Sequence, residues 1–199
     1  MKKPAVLLIV TTLIFIFCAD MTAAADYRFR LSTNQNALDA EFDAHIDMSN
    51  SQLITGISGV YDNDDFKLLF LKALISNELL FDGLSAGLGF KGAWGEAEKR
   101  HFDRDVLNLG FACYVGYDLS KSGLNNLPIH LSSSLYISPE PLAFGDTEEL
   151  IEVMAEGSWK VLDQAAIVIN YRYIEIDFDQ RPKMQKSDSA GFLGLRFFF

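Results

Sequence analysis

The sequence predicts an all-β protein, an antiparallel transmembrane β-barrel of about ten strands preceded by a cleavable signal peptide. Three observations predict it: a short apolar segment at the N-terminus, a repeated alternation of apolar and polar residues, and a final segment rich in phenylalanine. The predicted signal peptide covers residues 1–25, and the predicted barrel covers residues 26–199.

The N-terminal segment has the parts of a secretory signal peptide. Lys2 and Lys3 precede an apolar run over residues 5–17, and the small residues of "TAAAD" favour cleavage after Ala25. An apolar run of about 13 residues is too short for a transmembrane helix, which needs about 20. The sequence therefore predicts Sec-type export rather than a helical anchor.

Charge and cysteine content narrow the possible partners. The formal net charge is −10, and removing the two lysines and one aspartate of the signal peptide makes it −11. So acidic a protein repels nucleic acid, and no nucleic-acid partner is predicted. Cys113 is then the single cysteine, so no internal disulfide can form. The sequence contains no nucleotide, phosphate-loop or zinc motif, and no cofactor or metal is predicted.

The early strands show the alternation plainly. In "LDAEFDAHID" (38–47) Leu, Ala, Phe, Ala and Ile alternate with Asp, Glu, Asp, His and Asp. A helix would spread these residues around its circumference, whereas a strand separates them onto two faces. The segment 65–77 is apolar on both faces and the segment 26–32 is short, so eight strands are an alternative to ten.

The same period of two continues to the end of the chain. In "VLNLGFACYVGYDL" (106–119) Cys113 shares the apolar face, where we interpret it as a small hydrophobic residue. "EELIEVMAEGSWKV" (148–161) again separates apolar from charged residues. The ten predicted strands are 26–32, 37–47, 52–62, 65–77, 83–97, 103–119, 127–138, 148–160, 163–178 and 188–199.

A soluble lipocalin-like barrel would show the same alternation with its polar face outside. Two features favour the membrane barrel, whose polar face lines the lumen. Between residues 83 and 97 the polar face is mostly Ser, Gly and Ala, which suits a crowded lumen. Trp94 and Trp159 fall near strand ends, where interfacial aromatic residues are expected.

The last strand resembles the C-terminal signature of outer-membrane barrels. Leu193, Leu195, Phe197 and Phe199 share one face, and Phe198 lies on the other. In barrels with this signature the strand is read by the barrel insertion machinery, so this machinery, periplasmic chaperones and outer-membrane lipid are the expected partners. The sequence predicts no oligomeric state.

An even number of strands places both termini on the periplasmic side. The loops predicted to face outward are 33–36, 62–65, 97–103, 138–147 and 179–187. The turns predicted to face the periplasm are 48–51, 78–82, 120–126 and 161–163. The outer loops are somewhat richer in charge, as the barrel pattern expects.

Charged residues are predicted to meet inside the lumen. With residues 33–36 as a hairpin loop, Arg30 lies opposite Asp39 and Arg28 opposite Glu41. The predicted lumen charges are Arg28, Arg30, Asp39, Glu41, Asp43, Lys72, Lys91, Glu152, Glu156, Lys160, Arg172 and Arg196, with Asp118 on the same face. They predict either a packed polar plug or a narrow charge-lined pore.

Catalysis has weak support in the sequence. His101 with Asp103 and Asp105 could form an outer-loop active site, but a single histidine in a charged loop is usually only solvated. His45 and His130 stand singly on polar faces. We therefore predict no enzyme activity and no catalytic residue. A porin-like or structural envelope protein is the leading hypothesis. A soluble periplasmic lipocalin-like binding protein and a barrel enzyme are the alternatives.

Several stretches resemble a known family. "SSLYISPEPLAFGDTEEL", "INYRYIEIDF" and "GFLGLRFFF" are similar to the corresponding stretches of the YfaZ family of Gram-negative outer-membrane proteins, and "GLGFKGAW" resembles its mid-chain glycine-rich strand. The resemblance covers most of residues 80–199, and its motifs are structural. It implies an outer-membrane barrel, sometimes described as a porin, with no established substrate and no catalytic residue to carry over.

Overall fold

The computed structural model describes residues 25–62, 66–79, 81–99, 102–121, 127–178 and 184–199. Except for Ala25, the predicted signal peptide lies outside the described residues, and so does His101.

Eleven strands form a single antiparallel sheet in the described part of the chain. Their bounds are β1 Ala25–Thr33, β2 Ala37–Asp47, β3 Gln52–Asp62, β4 Phe66–Glu78, β5 Leu84–Lys99, β6 Phe102–Asp118, β7 Ile129–Ser138, β8 Ala143–Gly145, β9 Thr147–Leu162, β10 Ala165–Phe178 and β11 Met184–Phe198. Two single-turn 3-10 helices lie at Leu119–Lys121 and Glu140–Leu142. None of the helices in the described ranges is long and apolar enough to cross a membrane.

The sheet closes on itself. β1 pairs with β2 on one side and with β11 on the other, and the neighbours continue in chain order through β7, β9 and β10. The three-residue β8 lies beside β6, beyond the end of β7, so ten strands form the wall. The prediction of an all-β, closed antiparallel barrel is confirmed with ten strands, and the alternative of eight is wrong.

The two ends of the barrel differ in what they carry. Ala25 and Phe199 lie at one end, which we call the terminal end, together with the β2–β3, β4–β5, β6–β7 and β9–β10 connections. The β1–β2 and β7–β9 connections lie at the opposite end, which we call the far end, together with the last residues of β3, β5 and β10 and the first residues of β4, β6 and β11. The backbone N–H of Phe199 donates to the carbonyl of Tyr27 over 2.9 Å, so the last residue is held against β1.

Apolar side chains cover the outside of the wall. Large exposed apolar residues on the outer face include Leu31, Phe42, Ile57, Leu71, Ile75, Leu88, Phe90, Leu109, Phe111, Val115, Ile169, Leu193 and Leu195. Arginine, aspartate and glutamate side chains are buried inside. A soluble barrel has the reverse arrangement, whereas an apolar outside with a polar inside is the outer-membrane type of β-barrel.

The interior changes character along the barrel axis. At the far end, buried apolar side chains pack together in what we call the far core: Val60, Phe66, Leu68, Phe70, Ala93, Ala97, Val106, Tyr136, Leu150, Ile174, Ile176 and Phe178. The middle and the terminal end of the interior carry most of the buried polar side chains, beside a small apolar cluster of Ile54, Leu74 and Ala112. The far core explains why β4 is apolar on both faces, because one face fills the barrel and the other covers it.

Three sequence-based boundaries are wrong. β5 continues to Lys99 and β6 begins at Phe102, so the predicted 97–103 loop is mostly strand. β11 begins at Met184 rather than at residue 188. The 138–147 loop contains Glu140–Leu142 and β8. The charged residues in these segments favoured loops in the sequence analysis. The strands nevertheless continue through such residues, because charged side chains are tolerated on strands beyond the apolar belt.

The register of the first hairpin also differs from the prediction. Arg30 lies opposite Glu41 and Arg28 lies opposite Asp43. The side-chain oxygen of Asn34 accepts hydrogen bonds from the backbone N–H groups of Asn36, over 2.8 Å, and Ala37, over 2.7 Å. This Asx-type turn starts one residue later than expected, so each inward residue keeps its face but takes a partner two positions further along.

Candidate functional site

Ten charged side chains meet in the middle of the lumen. They occupy inward positions on seven strands: β1, β2, β4, β5, β9, β10 and β11. We call this group the charged layer: Arg30, Asp39, Glu41, Asp43, Lys72, Lys91, Glu152, Glu156, Arg172 and Arg196. Five members are cationic and five are anionic, so their formal charges cancel.

Arg30 is the centre of the charged layer, with its side chain 1% exposed. Its Nη1 lies 2.8 Å from Asp39 Oδ1, and its Nη2 lies 2.6 Å from Glu41 Oε2. Its Nε lies 3.3 Å from Glu156 Oε2. Glu156 Oε1 in turn lies 2.6 Å from Arg196 Nη1. One guanidinium therefore joins acids from β2 and β9, and through Glu156 it is linked to the last strand.

Arg172 extends the charged layer towards the far core. Its Nε lies 3.0 Å from Glu152 Oε1, and its Nη1 forms an ion pair with Asp39. Lys91 pairs with the same Glu152, and its ammonium lies 4.1 Å from the ring centroid of Phe70. A cation over an aromatic face is attracted by the ring quadrupole, so Phe70 links the charged layer to the apolar region above it.

Lys72 completes the charged layer on the side of β4. Its Nζ pairs with Glu41 and lies 3.0 Å from Asp43 Oδ1 and 3.0 Å from Oδ2. Removing a charged side chain from water costs on the order of several kcal/mol, and ion-pair or hydrogen-bond partners are needed to offset this cost. Each of the ten members has such a partner. The ion pairs of the charged layer cross the lumen between β1 and β9, between β2 and β4, and between β5 and β9.

Two of the predicted lumen charges lie outside the charged layer. Arg28 is two residues closer to the terminal end than Arg30, and Lys160 is four residues beyond Glu156 on β9. The Lys160 side chain is 49% exposed, and its Nζ lies 3.8 Å from Asp163 at the surface. Both cations lie near the ring of Phe198, at 5.9 Å for Arg28 and 6.0 Å for Lys160. Both side chains face the interior, closer to the terminal end than the charged layer.

A cavity of about 780 Å³ opens below the charged layer at the terminal end. A second cavity of about 70 Å³ continues into the charged layer, where Lys72, Lys91 and Glu156 line it, and reaches Tyr136 of the far core. Six residues line both cavities: Arg28, His45, Ile54, Tyr114, His130 and Arg196. The shared lining makes the two cavities one recess that leads from the terminal end to the charged layer.

The two histidines that stand singly in the sequence have neighbours in the recess. His45 Nδ1 lies 2.9 Å from Gln52 Oε1, and His130 Nε2 lies 3.4 Å from the hydroxyl of Tyr114. Sequence reasoning missed Tyr114 and Gln52 as lining residues. The parity of β6 could have found Tyr114, since it shares the inward face with Ala112.

The acidic residues at the mouth of the recess are held by local partners. The backbone N–H of Gly83 donates to Glu78, which ends β4, and Lys121 lies 3.4 Å away. The Gly83 hydrogen bond first, and Lys121 second, hold the pKa of Glu78 below its usual value. Asp118, predicted to face the lumen, accepts hydrogen bonds from the backbone N–H and the hydroxyl of Ser120.

The predicted interface aromatics lie on the outer face near opposite ends. Trp94 lies towards the far end and Trp159 towards the terminal end, and their exposed fractions are 66% and 56%. Tyr61 and Phe144 are exposed on the Trp94 side, whereas Tyr27 and Phe199 are exposed on the Trp159 side. The outer face therefore carries aromatic residues near both rims.

The residues of the predicted C-terminal signature occupy one face of β11. Leu193, Leu195, Phe197 and Phe199 point outward and are exposed, and Phe198 points into the recess. Across the 25–199 range, apart from its undescribed gaps, no group of three or more His, Cys, Asp or Glu residues is arranged to hold a metal ion.

The chain has little detectable similarity to known proteins. No family model matches the chain, and no curated protein matches it. A solved structure that is similar to it is OmpTdeltaL8, a loop L8 deletion mutant of OmpT, an outer membrane protein of Vibrio cholerae. The similarity has 11% sequence identity and a TM-score of 0.26, and it covers 88% of this chain and 97% of that one. A TM-score this low supports no argument about function.

Proposed function

We propose that this chain is an outer-membrane β-barrel with a closed lumen, acting as a structural protein of the Gram-negative envelope. The observation that carries the proposal is the inverted distribution of polarity: an apolar outer wall around a buried, charge-balanced interior. In this proposal the terminal end faces the periplasm and the far end faces outward. The resemblance of residues 80–199 to the YfaZ family supports the same proposal.

The outer wall supports the membrane location. Exposed Leu, Ile and Phe side chains form a belt around the barrel, and aromatic residues lie near both rims, as lipid contact requires. A soluble lipocalin-like binder would need a polar outer wall, whereas the outer wall of this barrel is apolar. Such a belt in water would also be an extensive sticky surface.

Migration in detergent gels tests the membrane location. The refolded mature chain should migrate differently before and after boiling, because a closed barrel resists unfolding by detergent at room temperature. Recovery of the mature chain as a stable, soluble monomer without detergent would overturn the proposal and favour the soluble binder.

The interior supports a closed lumen rather than a porin. Val106, Leu150 and Ile176 in the far core are 0% exposed, and the charged layer lies directly below them. Water and ions would have to cross a packed apolar region and then a layer of satisfied ion pairs. A porin-like function, with a narrow charge-lined pore, requires both the far core and the charged layer to open.

Conductance in a planar bilayer separates the closed barrel from the pore. The refolded barrel should insert and carry no reproducible current, while an open porin inserted in the same bilayer serves as the positive control. Reproducible single-channel steps would overturn the closed lumen and support the porin version.

β11 supports a role of the C-terminal strand in assembly, as the sequence predicts. Its outward face carries Leu193, Leu195, Phe197 and Phe199, and the backbone of Phe199 pairs with Tyr27 of β1. Deleting Phe199 removes one apolar anchor and the last closing hydrogen bonds, so it should slow membrane assembly several-fold. Insertion into vesicles with and without the insertion machinery measures the rate. Unchanged assembly of this variant would count against the role.

A further inference from the structure

The recess at the terminal end has the size of a small-molecule site. Its larger part encloses about 780 Å³, and small ligands bind in pockets of about 300–1,000 Å³. Its walls come from inward side chains of all ten wall strands, which are held by the closed sheet, and residues of the connections line its mouth. Rigid walls favour a specific binding site because little order is lost when a ligand enters.

Arg28 is the cation of the recess for which the described residues supply no ion-pair partner. The charged layer above it is balanced by its own members, Lys160 pairs with Asp163, and Lys121 pairs with Glu78. Asp43 lies directly opposite Arg28 in the strand register, but both of its oxygens lie 3.0 Å from Lys72 Nζ. The buried Nε of Arg28 has no hydrogen-bond partner among the described residues.

The acids near the mouth form no ion pair with Arg28 among the described residues. Asp47 accepts a hydrogen bond from Gln52 Nε2 over 2.8 Å, Glu78 is held by Gly83 and Lys121, and Asp118 is held by Ser120. These acids lie at the rim, where solvent screens them, whereas Arg28 lies deeper against Phe198. A concave wall of low dielectric constant concentrates the field of a buried cation.

We propose that this recess binds a small solute through a carboxylate or phosphate group held by Arg28. A guanidinium presents parallel N–H donors that match the two oxygens of such a group, and these charge-assisted bonds are strong. Lys160 adds a second cation, 6.0 Å from the centre of the same Phe198 ring, and the Tyr114 hydroxyl and His130 supply hydrogen-bonding groups nearby. The closed layer above the recess makes it a binding site rather than a channel entrance.

Titration of the refolded barrel in uncharged detergent tests the site. Inorganic phosphate and succinate are added separately and followed by calorimetry, with chloride at matched ionic strength as the reference. At least one of the two anions should bind saturably at one site, and chloride should not. The anion that binds more tightly identifies the chemical class of the solute.

Substitutions assign the binding to Arg28. Arg28→Gln should weaken it about tenfold or more, since hydrogen bonds to charged groups contribute about 1.5–3 kcal/mol. Arg28→Lys should recover part of the affinity, because it keeps the charge but loses the paired donors. Lys67→Gln removes the same charge from the outer face of β4 and should leave affinity unchanged.

Several outcomes overturn the proposal. They are no saturable binding of either anion at millimolar concentrations, equal binding of chloride, and unchanged affinity in Arg28→Gln. If Arg28→Gln fails to refold, as judged by its gel migration, Lys160→Gln replaces it, because this half-exposed side chain can be changed without disturbing the barrel. It should weaken binding several-fold, and unchanged affinity overturns the proposal. The binding experiment needs no bilayer, so its failure is distinct from a failure of the closed-lumen proposal.

Discussion

The far half and the terminal half of this barrel share the same β-sheet wall but differ in the side chains of their interiors. Above the charged layer, side chains from β3, β4, β5, β6, β7, β9 and β10 pack on one another as in the core of a soluble protein. From the charged layer downward, the interior consists of ion pairs and then an open recess. Identical backbone architecture therefore gives a sealed end and an accessible end, and the choice depends on a few inward residues per strand.

The apolar interior and the ionic interior should respond differently to substitution. An apolar core loses stability roughly in proportion to the volume removed. A buried ionic network loses it whenever a charge is left without a partner, even if the volume hardly changes. The predictions below use this difference and run from the largest expected effect to the smallest.

The largest loss is expected for Arg30→Met. Asp39, Glu41 and Glu156 would all lose a partner inside the barrel, and breaking a buried pair costs about 3–5 kcal/mol, so we expect the upper end of that range. Urea-induced unfolding of the refolded barrel measures the change. Arg104→Met is the matched control, because Arg104 lies 3.7 Å from the half-exposed Asp146 near the far rim.

The control should lose about 1 kcal/mol or less, as peripheral pairs do. If Arg30→Met does not refold, Glu156→Gln, which removes one carboxylate from the same network, gives the second measurement. Equal stability of the Arg30 and Arg104 variants would show that the charged layer does not hold the barrel.

The next largest loss is expected for Phe70→Ala in the far core. The Phe70 ring is 1% exposed, packs edge-on against Tyr136 and lies under Lys91, so its removal leaves a cavity and should cost about 3–5 kcal/mol. Phe90→Ala removes the same side chain from the outer face, where detergent or lipid fills the space. A smaller unfolding penalty for Phe90→Ala than for Phe70→Ala is expected, and the reverse order would contradict a packed far core.

The difference between the halves was only partly predictable from the sequence. Alternation is local, so it placed each charged residue on its inner or outer face. It could not show whether an apolar residue on the inner face of β4 fills a core, because residues 65–77 are equally apolar on both sides. Depth along the axis depends on register between strands, which Asn34 shifts through its turn. The position of Arg28 in the recess follows from this register and not from its neighbours in the chain.

A smaller loss is expected for Gly56→Ala on β3. A Cβ at this inward position would lie 2.0 Å from Asp43 Oδ1 and 2.6 Å from the carbonyl oxygen of Phe42, so Asp43 would have to move away from Lys72. Overpacking of this kind typically costs about 1–3 kcal/mol. Gly59→Ala on the same strand is the control, since the nearest atom to its Cβ is 3.7 Å away. Equal unfolding midpoints for the two variants would mean that the charged layer adapts freely.

The smallest effect is expected for Lys121→Gln at the rim of the terminal half. Lys121 and Glu78 are both more than half exposed, and their charged groups lie 3.4 Å apart, so water and salt already screen the pair. The unfolding midpoint should therefore stay within error of the parent barrel at both low and high salt. Arg30→Met should keep its large penalty at high salt, because buried pairs are screened far less. If Lys121→Gln destabilised the barrel at low salt, ion pairs outside the lumen would also contribute to its stability. The charged layer and the mouth of the recess would then differ only in the size of their contributions.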